Sequence, residues 1–292
     1  MKITAFAPAK INLFLDIIGR LDNGYHSLFM VMQSVSLGDT VTVEECGEKG
    51  IFLTCSERHL PTDEKNIAYK AAKKFFEAAG EEPSVKIHIE KKIPFAAGLA
   101  GGSADAAAVL VALNEMRGNR FTQTELCKIG LSIGSDVPFC ICGGTSLSQN
   151  TGGVLSPLEP LKECYIVLAK PECSVSTAEA YAAADSAYLY HPDSMRMLDV
   201  CEKGDFKGIC KYAGNVFEQV IEVADRVEYK RIMRKHGAAL CQMSGSGPTV
   251  FAIFENRKNA EECAEELRKI CPEVFVTVPV SHGVKTERSV EK

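Results

Sequence analysis

The segment that most constrains this chain is residues 94–108, Pro-Phe-Ala-Ala-Gly-Leu-Ala-Gly-Gly-Ser-Ala-Asp-Ala-Ala-Ala, where glycines separate a strand pattern from a helix pattern. Residues 85–89 alternate apolar and polar side chains, and apolar residues recur at helical spacing from Val109 to Met116. A helix therefore begins among the glycines. Because the first N–H groups of a helix lack internal acceptors and lie at the positive end of its dipole, we expect this turn to bind a polyphosphate.

The glycine-rich segment follows neither of the two best-known nucleotide motifs. It has no Lys-Ser/Thr pair after its last glycine, and its glycines are not spaced as in the dinucleotide fingerprint. Nucleotide binding here must follow another scheme. Taken alone, the segment is equally consistent with a tight strand-to-helix turn beside a close packing contact.

Composition and charge narrow the class of protein. The 292 residues, 46% of them hydrophobic and 24% charged, suffice for one large or two ordinary globular domains. A net charge of -5 argues against a general nucleic-acid or membrane-surface partner. No apolar run reaches the ~18 residues that cross a bilayer, and the N-terminus has no secretory pattern, so we expect a cytoplasmic protein.

The cysteines are expected to be free thiols. All 12 are dispersed along the chain, mostly as small buried side chains. Only Cys140 and Cys142 lie close together, at alternate positions of a predicted strand over residues 139–142. Without a second cluster or a nearby histidine, they make a poor zinc site.

Two polar side chains are predicted to point the same way near the N-terminus. Residues 10–17 alternate as a strand does, which puts Lys10 and Asn12 on one face with Phe14 and Asp16, opposite Ile11, Leu13, Leu15 and Ile17. A lysine at the start of a strand is often only a solvated edge residue. The following polar turn, residues 19–26, offers Tyr25 beside His26, either as ligand contacts or as an ordinary hairpin loop.

A second candidate site residue is Asp136. We predict strands at 35–45 and 51–54 and a helix over 66–79 that Gly80 ends. A capping box from Thr122 to Glu125 predicts a helix to about residue 133. Because Pro138 disfavours helical geometry at the residue before it, Asp136 should lie on a stiff turn. That turn suits a catalytic carboxylate, and it also suits an Asp that only bonds its own backbone.

The Gly- and Pro-containing segment 149–161 predicts a domain boundary, which gives domains 1–155 and 156–292. The second domain should contain strand 165–169, a helix from Ser176 that carries Tyr181, and a helix over 215–224. A second glycine-rich turn, residues 243–248, could close over phosphate or substrate or be a plain hairpin turn. Strand 249–254, helix 259–271 and strand 274–278 follow, and the polar tail after residue 282 should be frayed.

Three segments in this order resemble the signature motifs of the GHMP small-molecule kinases, the family of galactokinase, homoserine kinase and mevalonate kinase. They are residues 8–13 (Pro-Ala-Lys-Ile-Asn-Leu), 94–108, and 243–247 (Met-Ser-Gly-Ser-Gly). Within the family, residues 10–19, 24–26 and 134–139 look most like members that act on a cytidine diphosphate-linked methylerythritol, in non-mevalonate isoprenoid precursor synthesis.

The resemblance implies an α+β, two-domain GHMP-kinase fold. Its N-terminal ATP-binding domain would resemble ribosomal protein S5 domain 2, with a smaller C-terminal domain, and ATP and substrate would meet between them. The implied reaction transfers the γ-phosphoryl group of ATP to the 2-hydroxyl of the methylerythritol. Lys10 and Asp136 would flank that hydroxyl. Asp136, ionised beside a lysine, would be a weak base or an orienting group, and Lys10 would stabilise the developing charge.

The resemblance also implies binding residues. The substrate would contact Asn12, Tyr25 and His26, and we add Tyr181 as a stacking partner for the pyrimidine. Mg²⁺ would accompany ATP, with Ser103 a possible contact; Ala104 stands where relatives often have serine, and no acidic magnesium ligand is evident. The ATP phosphates would lie on Pro94, Phe95, Ala96, Ala97, Gly98, Leu99, Ala100, Gly101, Gly102, Ser103 and Ala104.

Three other functions stay open at this stage. The chain could be another GHMP kinase, acting on homoserine, mevalonate or a sugar, which would need no pyrimidine-binding aromatics. It could be a GHMP-fold binding protein without turnover, although retention of Lys10 and Asp136 argues against that. A nucleic-acid-binding module draws only on the S5-like topology, and the acidic balance disfavours it. We expect no nucleic-acid or membrane partner, and either a monomer or a homodimer.

Overall fold

Two mixed or antiparallel sheets organise the structure. The computed structural model of the chain describes residues 1–22 and 24–289. The strands are β1 Lys2–Arg20, β2 His26–Glu45, β3 Gly50–Cys55, β4 Ser84–Glu90, β5 Thr145–Asn150, β6 Val154–Pro157, β7 Tyr165–Lys170, β8 Gly214–Asn215, β9 Leu240–Met243, β10 Val250–Phe254, β11 Glu273–Thr277 and β12 Lys285–Ser289.

The first sheet is built on the long hairpin of β1 and β2. Its order is β12-β1-β2-β4-β3, with β5 and then β6 extending from β2 and the short β8 beside β1. Only the β3–β4 and β1–β8 pairs are parallel. The second sheet is antiparallel throughout, in the order β11-β7-β10-β9.

Several helices begin and end where local sequence chemistry predicts. Asn66 caps the first helix by accepting the N–H of Ala68, and Gly80 ends it in a left-handed conformation. The Thr122–Glu125 capping box is present as predicted. The helices are α1 Ile67–Ala79, α2 Gly101–Met116, α3 Gln123–Leu131, α4 Val137–Cys142, α5 Thr177–Asp185, α6 Ser194–Glu202, α7 Phe206–Tyr212, α8 Arg226–Lys235 and α9 Arg257–Leu267.

One continuous apolar core joins the two sheets. Helices α1 to α4 cover one face of the first sheet, and the alanines at 104 and 106–108 let α2 lie close to β1 and β2. The same core includes Ile166 and Phe251 from the second sheet, together with residues of α6 and α7. The opposite face of the second sheet packs on α8 and α9. The two sheets therefore share buried side chains of one core.

A β-bulge changes the predicted faces of β1. Asn12 pairs with Met32 and Phe14 with Val31, so the register shifts between Asn12 and Phe14. The bulge moves Phe14 into the core below the sheet, while Leu15 moves to the opposite face, the one that holds Lys10 and Asn12. The prediction that Lys10 and Asn12 share a face is confirmed. The prediction that strict alternation continues to Ile17 is wrong, because one extra residue reverses every side chain after it.

Residues 137–142 form α4, not the predicted strand. Five of its six residues are buried, so the segment shows no alternation that could separate a strand from a helix. Pro138 occupies the first turn, where a helix needs no N–H from it. Cys140 and Cys142 therefore do not alternate across a strand; the Cys142 Sγ lies 3.6 Å from the Cys127 Sγ of α3.

The predicted helix over residues 215–224 is also wrong. This segment contains β8 and a 3-10 helix, Val216–Gln219. The Asn215 side chain accepts the Phe217 N–H and donates to the carbonyl oxygens of Met243 and Gly245, both at 2.8 Å. Asparagine side chains that bond nearby backbone favour turns over helices, which explains why a regular helix does not form here.

Residues 285–289 of the polar tail form β12, contrary to the expected fraying, and residues 290–292 lie outside the described part of the chain. β12 pairs with residues Lys2 to Phe6 of β1 and completes that edge of the first sheet. Arg288 Nε also donates to Glu115 Oε1 of α2 at 2.6 Å. The sequence pattern missed this strand because its side chains are mostly polar, and its partner lies at the other end of the chain.

The domain boundary at 155/156 stays a prediction. It falls within β6, which pairs with β5 in the first sheet, and the second sheet begins with β7. Among the described residues, no helix combines the length and apolar character that crossing a bilayer requires.

We predict that β12 stabilises the fold. Truncation after Val284 removes the partner of residues 2–6 and the Arg288–Glu115 ion pair. Loss of these backbone hydrogen bonds should cost roughly 2–4 kcal/mol of unfolding free energy. Urea denaturation measures this change. A chain that ends after Ser289 is the control, and equal stability of the two truncations would show that β12 contributes nothing.

Candidate active site

A cavity of about 420 Å³ lies where the loop before α2, the start of β1 and the β9–β10 turn meet. It contains predicted site residues from distant parts of the sequence. Those in its wall are Lys10, Asn12, Asp136, Tyr181, Pro94, Phe95, Ala96, Ala97, Gly98, Ala100, Gly101, Gly102 and Ser103. Four predicted site residues lie outside the cavity wall: Leu99 and Ala104, which are buried in the core, and Tyr25 and His26.

The glycine-rich loop, residues 94–100, ends in a helix start that lacks a side-chain cap. Ala100 is the N-cap of α2, and its methyl group cannot accept a hydrogen bond. The first bond within the helix runs from the Ala104 N–H to the Ala100 carbonyl, at 2.8 Å. The N–H groups of residues 101–103 therefore have no acceptor in the helix. With no acidic residue in this turn to compete, an anion at this position would accept hydrogen bonds from these N–H groups, and we call this position the anion site.

The glycine-rich loop holds an unusual backbone conformation. Ala96 and Ala100 both have positive φ, 49° and 59°, which alanine adopts only at a cost. Gly98, with φ 71°, has a second reason to be glycine: a Cβ there would lie 2.3 Å from the Ser244 carbonyl oxygen. The second glycine-rich turn, residues 243–248, thus presses directly against the loop.

A hydrogen bond fixes this contact between the two turns. Ser244 Oγ donates to the Gly98 carbonyl oxygen at 2.9 Å. The Asn215 side chain also bonds the backbone of the second turn, because its amide donates to two carbonyl oxygens there. The sequence left open whether this turn closes over a ligand or is a plain hairpin turn. In the structure this turn packs against the glycine-rich loop through the Ser244–Gly98 hydrogen bond, and its residues 245–247 also line the cavity.

Lys10 places a buried ammonium beside the anion site. Its Nζ donates to Asn12 Oδ1 at 2.6 Å and to the Gly98 carbonyl oxygen at 3.0 Å. Its backbone N–H donates to the Leu99 carbonyl, so β1 and the glycine-rich loop are joined by main chain and side chain together. The Lys10 side chain is only 5% exposed. The reading of Lys10 as a solvated edge residue is therefore wrong.

Asp136 faces Lys10 across the cavity wall. Its Oδ2 lies 3.8 Å from Lys10 Nζ, and 27% of its side chain is exposed. Asp136 is the N-cap of α4, but its side chain makes no capping hydrogen bond. The alternative explanation for an Asp in this turn was a hydrogen bond from its carboxylate to nearby backbone, and the structure shows no such capping bond. A carboxylate, a buried ammonium and an anion site meet at one point.

Aromatic rings form the other end of the cavity. Tyr181 of α5 stacks on His26, with ring centroids 4.5 Å apart and planes at 15°, and meets Phe217 edge to face at 5.1 Å. His26 Nε2 lies 2.7 Å from Asp185 Oδ1, so the imidazole is oriented by α5. Burial raises the pKa of the Tyr181 phenol. Tyr25 lies at the hairpin tip, 66% exposed, outside the cavity wall.

Sequence reasoning missed several residues in the cavity wall, among them Leu28, Met30 and Phe217, and two further groups bear on the chemistry. The first group lies just before and at the start of α1 and adds three apolar side chains to the wall: Leu60, Pro61 and Ile67, with the polar Lys65 and Asn66. The second is Lys91 and Asp105. A signal for Asp105 was present in the sequence, since it is a lone carboxylate within an otherwise apolar helical run.

Comparison with known proteins identifies the family. The model of the GHMP kinases N terminal domain matches residues 66–144, and that of the GHMP kinases C terminal domain matches residues 197–273. Together they cover more than half of the chain. The chain belongs to the GHMP kinase family. The predicted kinase class and the α+β GHMP fold are thereby confirmed.

Similar proteins cover nearly all of this GHMP kinase. It is 43% identical to a 4-diphosphocytidyl-2-C-methyl-D-erythritol kinase of Clostridium botulinum, over 93% of this chain and 98% of the relative. It is 44% identical to a protein of the same name from Exiguobacterium sibiricum, over 94% of this chain and 97% of that relative.

Solved structures share the fold. A crystal structure of 4-(cytidine 5'-diphospho)-2C-methyl-D-erythritol kinase superposes with a TM-score of 0.77 at 31% identity, covering 94% of this chain and 98% of the other. A homoserine kinase from Cytophaga hutchinsonii reaches the same TM-score, 0.77, at 21% identity, over 98% of this chain and 97% of the other. The second match supports the fold alone.

We predict that Ala100→Gly stabilises this GHMP kinase. Ala100 has φ 59°, a conformation that costs alanine about 1 kcal/mol or more and costs glycine little. Ala104→Gly is the matched control: it makes the same change within a regular helix and should destabilise by about 1 kcal/mol. Thermal unfolding of both variants tests this. A lower Tm for Ala100→Gly than for the parent would contradict the strain in the loop.

Proposed function

We propose that this GHMP kinase transfers the γ-phosphoryl group of ATP to the 2-hydroxyl of 4-diphosphocytidyl-2-C-methyl-D-erythritol. The observation that carries the proposal is the position of Lys10, bonded to the Gly98 carbonyl of the glycine-rich loop and 3.8 Å from Asp136. A phosphate on the loop and a hydroxyl beside Asp136 would both lie next to the Lys10 ammonium. The names of the two bacterial relatives support this acceptor.

The geometry suits phosphoryl transfer, which depends mainly on alignment and charge stabilisation. The N–H groups of residues 101–103 would bind phosphate oxygens at the start of α2. Lys10 would stabilise charge on the transferred group and on the attacking oxygen, because it is buried and already oriented by Asn12. Asp136 would accept the proton of the hydroxyl or orient that hydroxyl. The apolar side chains of Leu60, Pro61 and Ile67, which also line the cavity, would pack against the base of ATP.

Mg²⁺ fits the oxygen donors of the cavity. The part of the chain that the structure describes contains no cluster of three or more His, Cys, Asp or Glu side chains able to hold a metal. Magnesium in nucleotide sites keeps several waters and is bound by phosphates with one or two protein oxygens. The Ser103 hydroxyl, in the cavity wall, would supply one such oxygen, and the phosphates and water would supply the others. Bound Mg²⁺ would neutralise phosphate charge during transfer.

The aromatic end supports a cytidine group over homoserine, mevalonate or a sugar. The Tyr181 ring lines the cavity and is held by His26 and Phe217, so it offers a rigid edge or face to a planar base. Small aliphatic acceptors would need no such rings. The roles of Tyr25 and His26, the cytoplasmic location, the oligomeric state and the lack of nucleic-acid binding stay predictions.

We predict that Asp136→Asn and Lys10→Met each lower kcat/KM by at least ~10²-fold, because each removes a charge beside the reacting oxygen. A coupled ADP-release assay measures this. Asp225→Asn is a matched control, since Asp225 begins α8 with nearly the same φ and ψ as Asp136 and also makes no capping bond. Lys170→Met controls for loss of a buried lysine in an ion pair outside the cavity. Parental rates in both site variants would exclude the mechanism.

The same assay distinguishes the acceptors. ADP release should require the cytidine substrate, and mevalonate or homoserine should not replace it. Turnover with mevalonate or homoserine, and not with the cytidine substrate, would contradict the proposed acceptor and assign that other acceptor to this kinase.

We predict that Tyr181→Leu raises KM for the cytidine substrate about tenfold and leaves KM for ATP unchanged. Stacking between a base and an aromatic ring contributes about 1–3 kcal/mol. The variant also removes the support of His26. Tyr190→Leu, at an exposed tyrosine outside the cavity wall, is the control. An unchanged KM for the cytidine substrate would place the base elsewhere.

A further inference from the structure

A buried ion cluster lies beneath the glycine-rich loop and has no part in the mechanism described above. We call Asp39, Lys91 and Asp105 the Lys91 cluster. Lys91 Nζ bonds to Asp39 Oδ2 and, at 2.7 Å, to Asp105 Oδ2. The side chains of all three are at most 6% exposed. Lys91 and Asp105 nevertheless reach the wall of the cavity.

The Lys91 cluster joins three elements that form the phosphate site. Asp39 belongs to β2, and its Oδ1 accepts the N–H groups of Lys92 and Ile93 at 2.6 and 2.8 Å, just before the glycine-rich loop. Asp105 lies one helical turn after Gly101 in α2. The Lys91 ammonium lies between the two carboxylates, so its bonds fix the position of residues 91–93 relative to the first turn of α2.

Close packing shows how little freedom this junction has. A Cβ on Gly101 would lie 3.1 Å from Ile93 Cγ2 and 3.4 Å from Lys91 Nζ. The first residue of α2 is therefore packed closely against both Ile93 and the Lys91 ammonium. A shift of the loop entry by a fraction of an ångström would change where the first N–H groups of α2 point, and phosphate binding by main-chain N–H groups requires such precision.

The Lys91 cluster has an unbalanced charge, which does not favour stability in a buried place. With both carboxylates ionised, the cluster carries one net negative charge in a buried place. Asp105 Oδ1 is buried and has no hydrogen-bond partner among the described residues. Burial raises the pKa of Asp105. Burial also acts to lower the pKa of Lys91, but the two carboxylates outweigh it and raise that pKa. Such imperfect clusters usually have a reason beyond folding.

We propose that Lys91 is a positioning residue for ATP, which acts by clamping the entry of the glycine-rich loop to β2 and α2 through Asp39 and Asp105. The inference rests on the proposed function, because it assumes that the loop binds ATP. It concerns the nucleotide half of the site only. The proposed cytidine end is formed by other side chains, Tyr181 of α5 and His26 at the start of β2, which make no contact that includes the cluster residues in the part of the chain described.

The test separates geometry from charge. The double variant Lys91→Met/Asp105→Asn keeps the net charge of the Lys91 cluster but removes the ammonium bridge. We expect its Kd for ATP, measured by titration calorimetry without the cytidine substrate, to rise at least about tenfold. Asp105→Asn alone keeps an oxygen that can accept from Lys91, so its loss should be no more than about threefold. Lys92→Met, an exposed neighbour outside the cavity wall, is the control.

Steady-state kinetics give a second readout. In the double variant KM for ATP should rise with Kd, while kcat at saturating ATP and KM for the cytidine substrate should stay within about threefold of the parent. A merely structural role would lower Tm without this separation of the two substrates. Parental ATP affinity in the double variant, or equal weakening of both substrates, would overturn the proposal.

Asp39→Asn decides the question if the double variant does not fold. It leaves a balanced Lys91–Asp105 pair, and its amide oxygen can still accept the two loop N–H groups, so only the bond from Lys91 to Asp39 is lost. We expect ATP affinity to fall about three- to tenfold, and unchanged affinity would overturn the proposal. A parent chain that does not bind ATP at all would instead contradict the proposed function.

Discussion

The structure of this site depends on the burial of one lysine. An ammonium withdrawn from water is tolerated only where hydrogen-bond acceptors surround it, and Lys10 finds them in Asn12 and in the Gly98 carbonyl. The second acceptor is available only because the glycine-rich loop turns that carbonyl inward at a positive φ. Ser244 donates to the same oxygen. The strand β1 and the two glycine-rich turns are therefore held together by contacts to a single backbone carbonyl.

The site also separates the groups that bind anions from those that carry negative charge. Phosphate would meet main-chain N–H groups at the start of α2, where the helix supplies neither an acidic residue nor a side-chain cap. The nearby carboxylates of Asp39 and Asp105 are turned toward Lys91, and that of Asp136 is opposed by Lys10. Each of these carboxylates thus lies beside an ammonium, although Asp39 and Asp105 share one, and this limits their repulsion of a triphosphate.

Much of this arrangement followed from local sequence. The glycine-rich loop, the start of α2, the shared face of Lys10 and Asn12 and the Thr122 capping box all depend on residues within a few positions of one another, and the structure confirms them. The failures share another cause. β12 needs β1 from the opposite end of the chain, and the apolar run of α4 has no period. The bulge after Asn12 is likewise set by pairing with β2.

The same division separates the two halves of the chemistry. The phosphate end uses a contiguous segment, so motifs in the sequence reveal it. The aromatic end is assembled from pieces over 150 residues apart: Asp185 orients His26, His26 supports Tyr181, and Phe217 closes the edge from an irregular segment. Replacing a few of these contacts would alter the space for an acceptor without disturbing Lys10 or the loop. Acceptor specificity can therefore change within such a fold while the phosphoryl-transfer geometry is retained.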